Sequence, residues 1–253
     1  ADGNYVMAPY SARGNDEIKK FYQTGTILQN NLNISAGGAD GYVNLNLGNV
    51  RRDFILEGDE LNRNTVVLTA GKKINKFTVG GTFTFTNQRT KQANVNAATS
   101  RSDYTLLTTL LQAASNVPIE EFKNRGLYGW NGYYQNPYWA RENNRLEETK
   151  NFINLGMNAG YEINKNIEIV YNGSVQMRNT NQVSYSNQAI SPADADGGFD
   201  SPSQFYQSTL GSTFYYGDLM ANFNYDLSDA LKLKFNVGQN VQYNYSKRIS
   251  QGG

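Results

Sequence analysis

Six aromatic residues, Tyr128, Trp130, Tyr133, Tyr134, Tyr138 and Trp139, crowd into twelve positions and include both tryptophans of the chain. Sugars stack on such rings and peptides bury side chains against them, so these six are the candidate ligand contacts. The competing fate, and the commoner one, is that they pack their loop against itself or against a covering partner. Asp194, Asp196 and Asp200 bring hard carboxylate oxygens together as a calcium ion requires. The EF-hand pattern fails, however, because its fifth position would be Gly198 and its twelfth Phe205, so no metal ligand set is assigned. Glu120–Glu121 and Glu147–Glu148 are adjacent pairs that set no catalytic separation and are taken as surface charge. The 253 residues contain neither histidine nor cysteine. That removes the commonest general base, thiolate metal sites, disulfides and any Ser–His–acid triad. The chain is expected to be no enzyme and to need no cofactor.

The elements that would position these side chains follow from composition and period. Lys and Arg number 23 against 22 Asp and Glu, a balance that supports no nucleic-acid partner. The hydrophobic share of 39% is low for a soluble core protein, yet 13% of the residues are aromatic, which disordered chains are not. No apolar run reaches the length of a transmembrane helix. What recurs is alternation with period two, in eight segments. Ile153, Leu155, Met157, Ala159 and Tyr161 alternate with Asn154, Gly156, Asn158, Gly160 and Glu162. After a tight turn near Lys165, the pattern resumes at Ile167, Ile169 and Tyr171. A second pair runs from Tyr215 to Tyr225 and from Leu231 to Tyr245. Two more occupy the first third, turning through Gly37–Gly41 and Lys72–Lys76.

Turns within pairs are short, whereas the links between pairs, 51–62, 88–150 and 178–212, are long. Short turns at one rim and long loops at the other are the pattern of antiparallel transmembrane β-barrels, whose short turns face the periplasm. The face chemistry agrees: Leu, Ile, Val, Phe and Tyr suit lipid, while Asn, Gln, Thr and Gly suit a wet lumen. Tyr42, Phe77, Tyr161, Tyr225, Tyr243 and Tyr245 fit aromatic girdles. Within the longest link, Leu107, Leu110 and Leu111 have helical spacing and Pro118 ends the run.

Residues 1–253 are therefore expected to be a partial transmembrane β-barrel domain of about eight strands. Eight strands can also close by themselves, so a small self-contained barrel with an adhesin or structural role is the alternative. The final residues lack a terminal aromatic strand and residues 1–25 read as the tail of a loop, which favours the partial barrel.

Several segments resemble the SusC/RagA family of TonB-dependent transporters of Bacteroidota. Phe21-Tyr22-Gln23-Thr24-Gly25-Thr26 is similar to the family's FFQTGT-like stretch, and Glu60-Leu61-Asn62-Arg63-Asn64-Thr65 to its ELNRNT stretch. Leu110-Leu111-Gln112, Asn116-Val117-Pro118-Ile119 and Asn136-Pro137-Tyr138-Trp139 continue the likeness in order. The resemblance implies a middle section of a barrel of about 22 strands with a plugged lumen; no plug domain is expected in these residues. It further implies import of glycans or peptides across the outer membrane of a Gram-negative bacterium. The partners so implied are outer-membrane lipid, a SusD-like lipoprotein lid, and TonB acting through the plug region.

Overall fold

A computed structural model describes residues 11, 13, 16–94, 106–127, 130, 135–190 and 200–253. Eight strands form one antiparallel sheet in chain order. They are β1 (Thr26–Gly38), β2 (Gly41–Asp53), β3 (Glu60–Ile74), β4 (Phe77–Ala93), β5 (Asn144–Asn164), β6 (Ile167–Ser186), β7 (Gln204–Ser228) and β8 (Leu231–Gly252). Two residues suffice for each hairpin turn: Ala39–Asp40, Asn75–Lys76, Lys165–Asn166 and Asp229–Ala230. Asn75 adopts a positive φ of 53°, a conformation asparagine tolerates better than most residues. The chain crosses back at the other rim through 54–59, 94–143 and 187–203.

Register converts alternation into two chemically distinct faces. One rung runs unbroken over all eight strands as Ile34, Leu45, Leu68, Phe83, Leu155, Val175, Tyr215 and Tyr243. The next rung of the same face is Leu32, Leu47, Val66, Phe85, Ile153, Met177, Thr213 and Tyr245. Between them, on the opposite face, lie Asn33, Asn46, Val67, Thr84, Asn154, Gln176, Phe214 and Asn244. On β5 the apolar stretch from Ile153 to Tyr161 has the length a tilted strand needs to cross hydrocarbon, about 9–11 residues. The apolar face has no protein cover: Leu155 is 48% exposed and Val241 58%. Water would make such a face strongly unfavourable, and acyl chains would satisfy it.

The strands continue beyond the bounds that alternation set, so the links placed at 51–62, 88–150 and 178–212 are each shorter. The reason is chemical. Past the apolar band both faces carry polar residues, as at Arg51-Arg52-Asp53 and Asn179-Thr180-Asn181-Gln182, so period two disappears while backbone pairing persists. Tyr42 is a second correction. It shares its face with Asn44 and Asn46 and lies over Gly71, where a Cβ would come within 2.8 Å of its ring. It is a polar-face residue and no part of a lipid-side girdle. Strand-end position was read without register, and register decides the face.

Among the described residues β1 and β8 pair on one side only. The closed eight-stranded alternative needs β1 and β8 to pair, and that pairing is not formed. Strands in lipid tolerate no open edge, so these two edges require further strands. No helix among the described residues is long and apolar enough to cross a membrane, which says nothing about crossing by strands.

Candidate binding surface at the long-loop rim

The buried apolar cluster of the chain lies outside the sheet, in a cap at the long-loop rim. Phe21, Leu106, Leu110, Ile119, Phe122, Trp130, Tyr138 and Ala140 form it, with Leu56 and Trp139 packed alongside. Its elements are α1 (Asp16–Lys19), α2 (Leu106–Leu111), a 3-10 turn (Ile119–Phe122) and α3 (Pro137–Asn143). None is long enough to be a stable helix alone, so packing of the apolar residues against one another sustains them.

One side chain closes much of the cap. Asn136 is fully buried at the start of α3. Its Oδ1 accepts the Tyr138 N–H at 3.0 Å, and its Nδ2 donates to Phe122 O at 2.8 Å and Gly126 O at 2.7 Å. Proline at the following position costs the helix no hydrogen bond, because that N–H has no intrahelical partner. The Asn136-Pro137-Tyr138-Trp139 motif is thus a helix cap that also ties α3 to the preceding turn.

A second tie joins cap to sheet. Asp59 Oδ1 accepts the Ala93 N–H at 2.7 Å and pairs with Arg145 Nη1 at 3.0 Å. Arg145 also donates to Gly58 O at 2.7 Å and Arg141 O at 3.1 Å. Burial pushes the Asp59 carboxyl above its usual range, and the Ala93 amide and Arg145 only partly oppose that.

Arg141 is almost fully buried, with its guanidinium 5.3 Å from the Phe21 ring centre and 5.2 Å from that of Tyr138. Its Nη2 reaches Glu57 Oε2 at 3.1 Å, and Lys123 Nζ meets the same oxygen at 3.0 Å. The Lys123 hydrogen bond, aided by Arg141, holds the Glu57 carboxyl below its ordinary value against partial desolvation. Beside this set opens a polar cavity of about 250 Å³ lined by Lys20, Glu57, Glu120, Lys123, Tyr22 and Tyr138. Its lining thus carries both signs, two lysines and two glutamates, beside Tyr22 and Tyr138. Arg141 Nε, Arg141 Nη1 and Trp130 Nε1 are buried without a hydrogen-bond partner among the described residues.

Of the six aromatic candidates, Trp130 and Tyr138 are enclosed. Trp130 meets Phe122 edge-on at 5.3 Å, and Tyr138 meets Phe21 at 4.9 Å. Trp139 is half-buried against the same cluster. Tyr128, Tyr133 and Tyr134 lie outside the described residues, as do Asp194 and Asp196. No group of acidic residues among the described ones is arranged to hold a metal ion. The charged set around the cavity escaped the sequence because its members come from four separated segments, and no local pattern links them.

No family model and no curated protein matches the chain. Solved structures do match. Against a chain of the RagAB peptide importer in its open-open state the TM-score is 0.76 at 14% identity, covering 98% of this chain and 28% of that one. The shared fold is a stretch of antiparallel β-barrel strands. In the closed-closed state of RagAB the values are 0.73, 13%, 94% and 26%. The ferric-catecholate import receptor Fiu from E. coli K12 gives 0.52 at 9% identity, over 90% of this chain and 31% of that one. This chain spans about a quarter of the length of the RagAB chains it matches. At such identities the likeness is one of fold.

Proposed function

We propose that this chain is a middle section of a SusC/RagA-type, TonB-dependent importer in the outer membrane of a Gram-negative bacterium. The strands form part of a lipid-embedded wall whose two-residue turns face the periplasm. The long-loop rim, with its cap, faces the exterior, where it contacts substrate and a SusD-like lipoprotein lid. TonB acts through a plug region that belongs to the parent protein. The observation that carries this reading is the uninterrupted apolar rung across all eight strands, on a face that no protein element covers among the described residues. The ordered family-like segments and the barrel-wall fold support it.

The substrate is a peptide or a glycan. The presence of both signs of charge in the cap cavity favours a peptide, whose termini and side chains supply both signs. Trp139, half-buried at the edge of the cap, provides a further contact. The reading involves no catalytic step and no cofactor.

Deleting the full-length gene in its host and measuring uptake of labelled oligopeptides and oligosaccharides tests this. One class should stop entering the cell, re-expression should restore entry, and a protonophore should block it. Entry that survives both deletion and the protonophore would sink the proposal.

A further inference from the structure

Immediately beyond the apolar band, on the same face, register lines up six asparagines on consecutive strands: Asn30, Asn49, Asn64, Asn87, Asn151 and Asn179. Asn49 Nδ2 donates to Asn64 Oδ1 and Asn87 Nδ2 to Asn151 Oδ1, each at 2.7 Å. This amide belt marks the level at which hydrocarbon gives way to headgroups, since amides are unfavourable in the former and well solvated in the latter. One rung further out, Arg51, Asn62 and Arg89 stand side by side on β2, β3 and β4.

Two features set this trio apart from ordinary surface charge. First, neither arginine has an ion-pair partner among the described residues. Of the neighbouring charges, Lys91 pairs with Glu60 at 3.3 Å, while Asp53 is oriented by the Thr26 hydroxyl at 2.8 Å. Second, Arg51, Asn62, Arg89, Asp53, Glu60 and Lys91, which share the face of the apolar rungs, line one concavity of about 500 Å³, completed by Arg52 and Leu61 of the alternate positions. Neighbouring strands lie roughly 4.8 Å apart, so the arginines are separated by about 10 Å at the backbone. Long arms at that spacing converge on one tetrahedral anion, and guanidinium forks match phosphate oxygens in pairs.

We propose that Arg51, Asn62 and Arg89 bind the phosphate of a phosphorylated lipid headgroup in the outer leaflet, on the outer side of the wall. A lipid is the occupant because the trio sits directly above the lipid-facing band, where headgroup phosphates lie. Asn62, whose Oδ1 accepts from Asn49 Nδ2 at 3.3 Å, donates its amide N–H to a phosphate oxygen while the arginines neutralise the charge. The inference rests on the membrane-wall reading but not on the identity of the transported substrate.

The test uses the full-length protein purified in detergent and native mass spectrometry with bisphosphorylated lipid A. The wild type should retain the lipid, and the double variant R51Q/R89Q should retain about tenfold less at equal concentration. Dephosphorylated lipid A should bind both proteins equally weakly. Arg63 follows Asn62 in β3 and faces the opposite way, so Arg63→Gln should behave as wild type. Resistance of the folded band to unheated SDS verifies that each variant is folded, and R51K/R89K, which keeps the charge, should recover part of the retention. Equal retention by wild type and R51Q/R89Q overturns the site. Equal loss in Arg63→Gln overturns it too, as does displacement of the lipid by millimolar inorganic phosphate. A fluorophore on Leu155→Cys in a cysteine-free background tests the wall separately. Quenching by brominated acyl chains supports the lipid-facing assignment; its absence overturns the wall reading and this inference with it.

Discussion

The Tyr171 ring lies along the backbone of Gly173, two positions further on in β6, so a Cβ at Gly173 would come within 3.0 Å of Tyr171 Oη and Cε1. Gly173 is paired directly with Gly217 of β7. Two bare glycines leave a notch in the apolar face, a groove of about 680 Å³ walled by Met157, Val175, Tyr215, Leu219 and Val241. The tyrosine restores apolar cover across the notch. Gly173→Val should therefore displace the ring and cost about 1–3 kcal/mol, the usual range for overpacking. Gly211→Val supplies the comparison, since a Cβ there meets nothing within 4 Å. Heating the full-length protein in SDS and following loss of the folded band should give a lower midpoint for the first variant and an unchanged one for the second.

Asn136 joins α3 to the Phe122–Gly126 turn through one accepted and two donated hydrogen bonds. Asn136→Ala removes a helix cap, about 1 kcal/mol, and orphans two carbonyls at about 1–3 kcal/mol each. The cap should open while the sheet stays intact. Hydrogen exchange of the full-length protein should show faster exchange in 106–143 and none in β4 or β6. Asn136→Asp keeps the acceptor and loses both donors, so it should resemble the alanine variant. Wild-type protection in Asn136→Asp would mean that the donated bonds contribute nothing.

The Asp59–Arg145 pair is nearly buried, with side-chain exposures of 8% and 12%. Removing one partner of such a pair commonly costs about 3–5 kcal/mol. Asp59→Ala should expose 54–59 and the Ala93 amide to exchange. The double variant Asp59→Ala/Arg145→Met should recover part of the loss, because it no longer strands a buried guanidinium.

Acid should loosen the cap through Glu57. Its folded-state pKa lies below the usual 4.5, so its contribution is complete above that value and fades as pH falls through the lowered one. Asp59 has the opposite sign. Its raised pKa makes the folded form take up a proton more readily than the unfolded chain, which favours the fold as pH drops toward the usual range from above. A spin label at Leu111→Cys, an exposed site on α2, reports the balance. Mobility should rise as pH falls below the usual Glu57 value, and Glu57→Gln should reduce that rise, leaving the part that Glu17 and Asp16, held low by Lys20 and Lys19, contribute.

Much of this architecture was legible without coordinates, because period two is a local property. Ile153 through Tyr161 declare which of their side chains share a face, and the short turns near Lys165 and at Ser228–Asp229 oblige their strands to pair. The helix that starts at Asn136 emerged only from the structure. The aromatic candidates were harder. Trp130 and Tyr138 offer the same ring chemistry whether enclosed or open, and their enclosure depends on Phe21 and Phe122 arriving from elsewhere in the chain.

Alternation, turn chemistry and residue types thus determined by themselves an antiparallel membrane-wall fold, since each operates within a few residues of the chain. Register across strands, the open edges at β1 and β8, the asparagine belt and the charged cavity around Glu57 were decided only by tertiary structure. Each of these joins residues tens of positions apart, and hydrogen-bond pairing in space is what selects which of many equally polar neighbours meet.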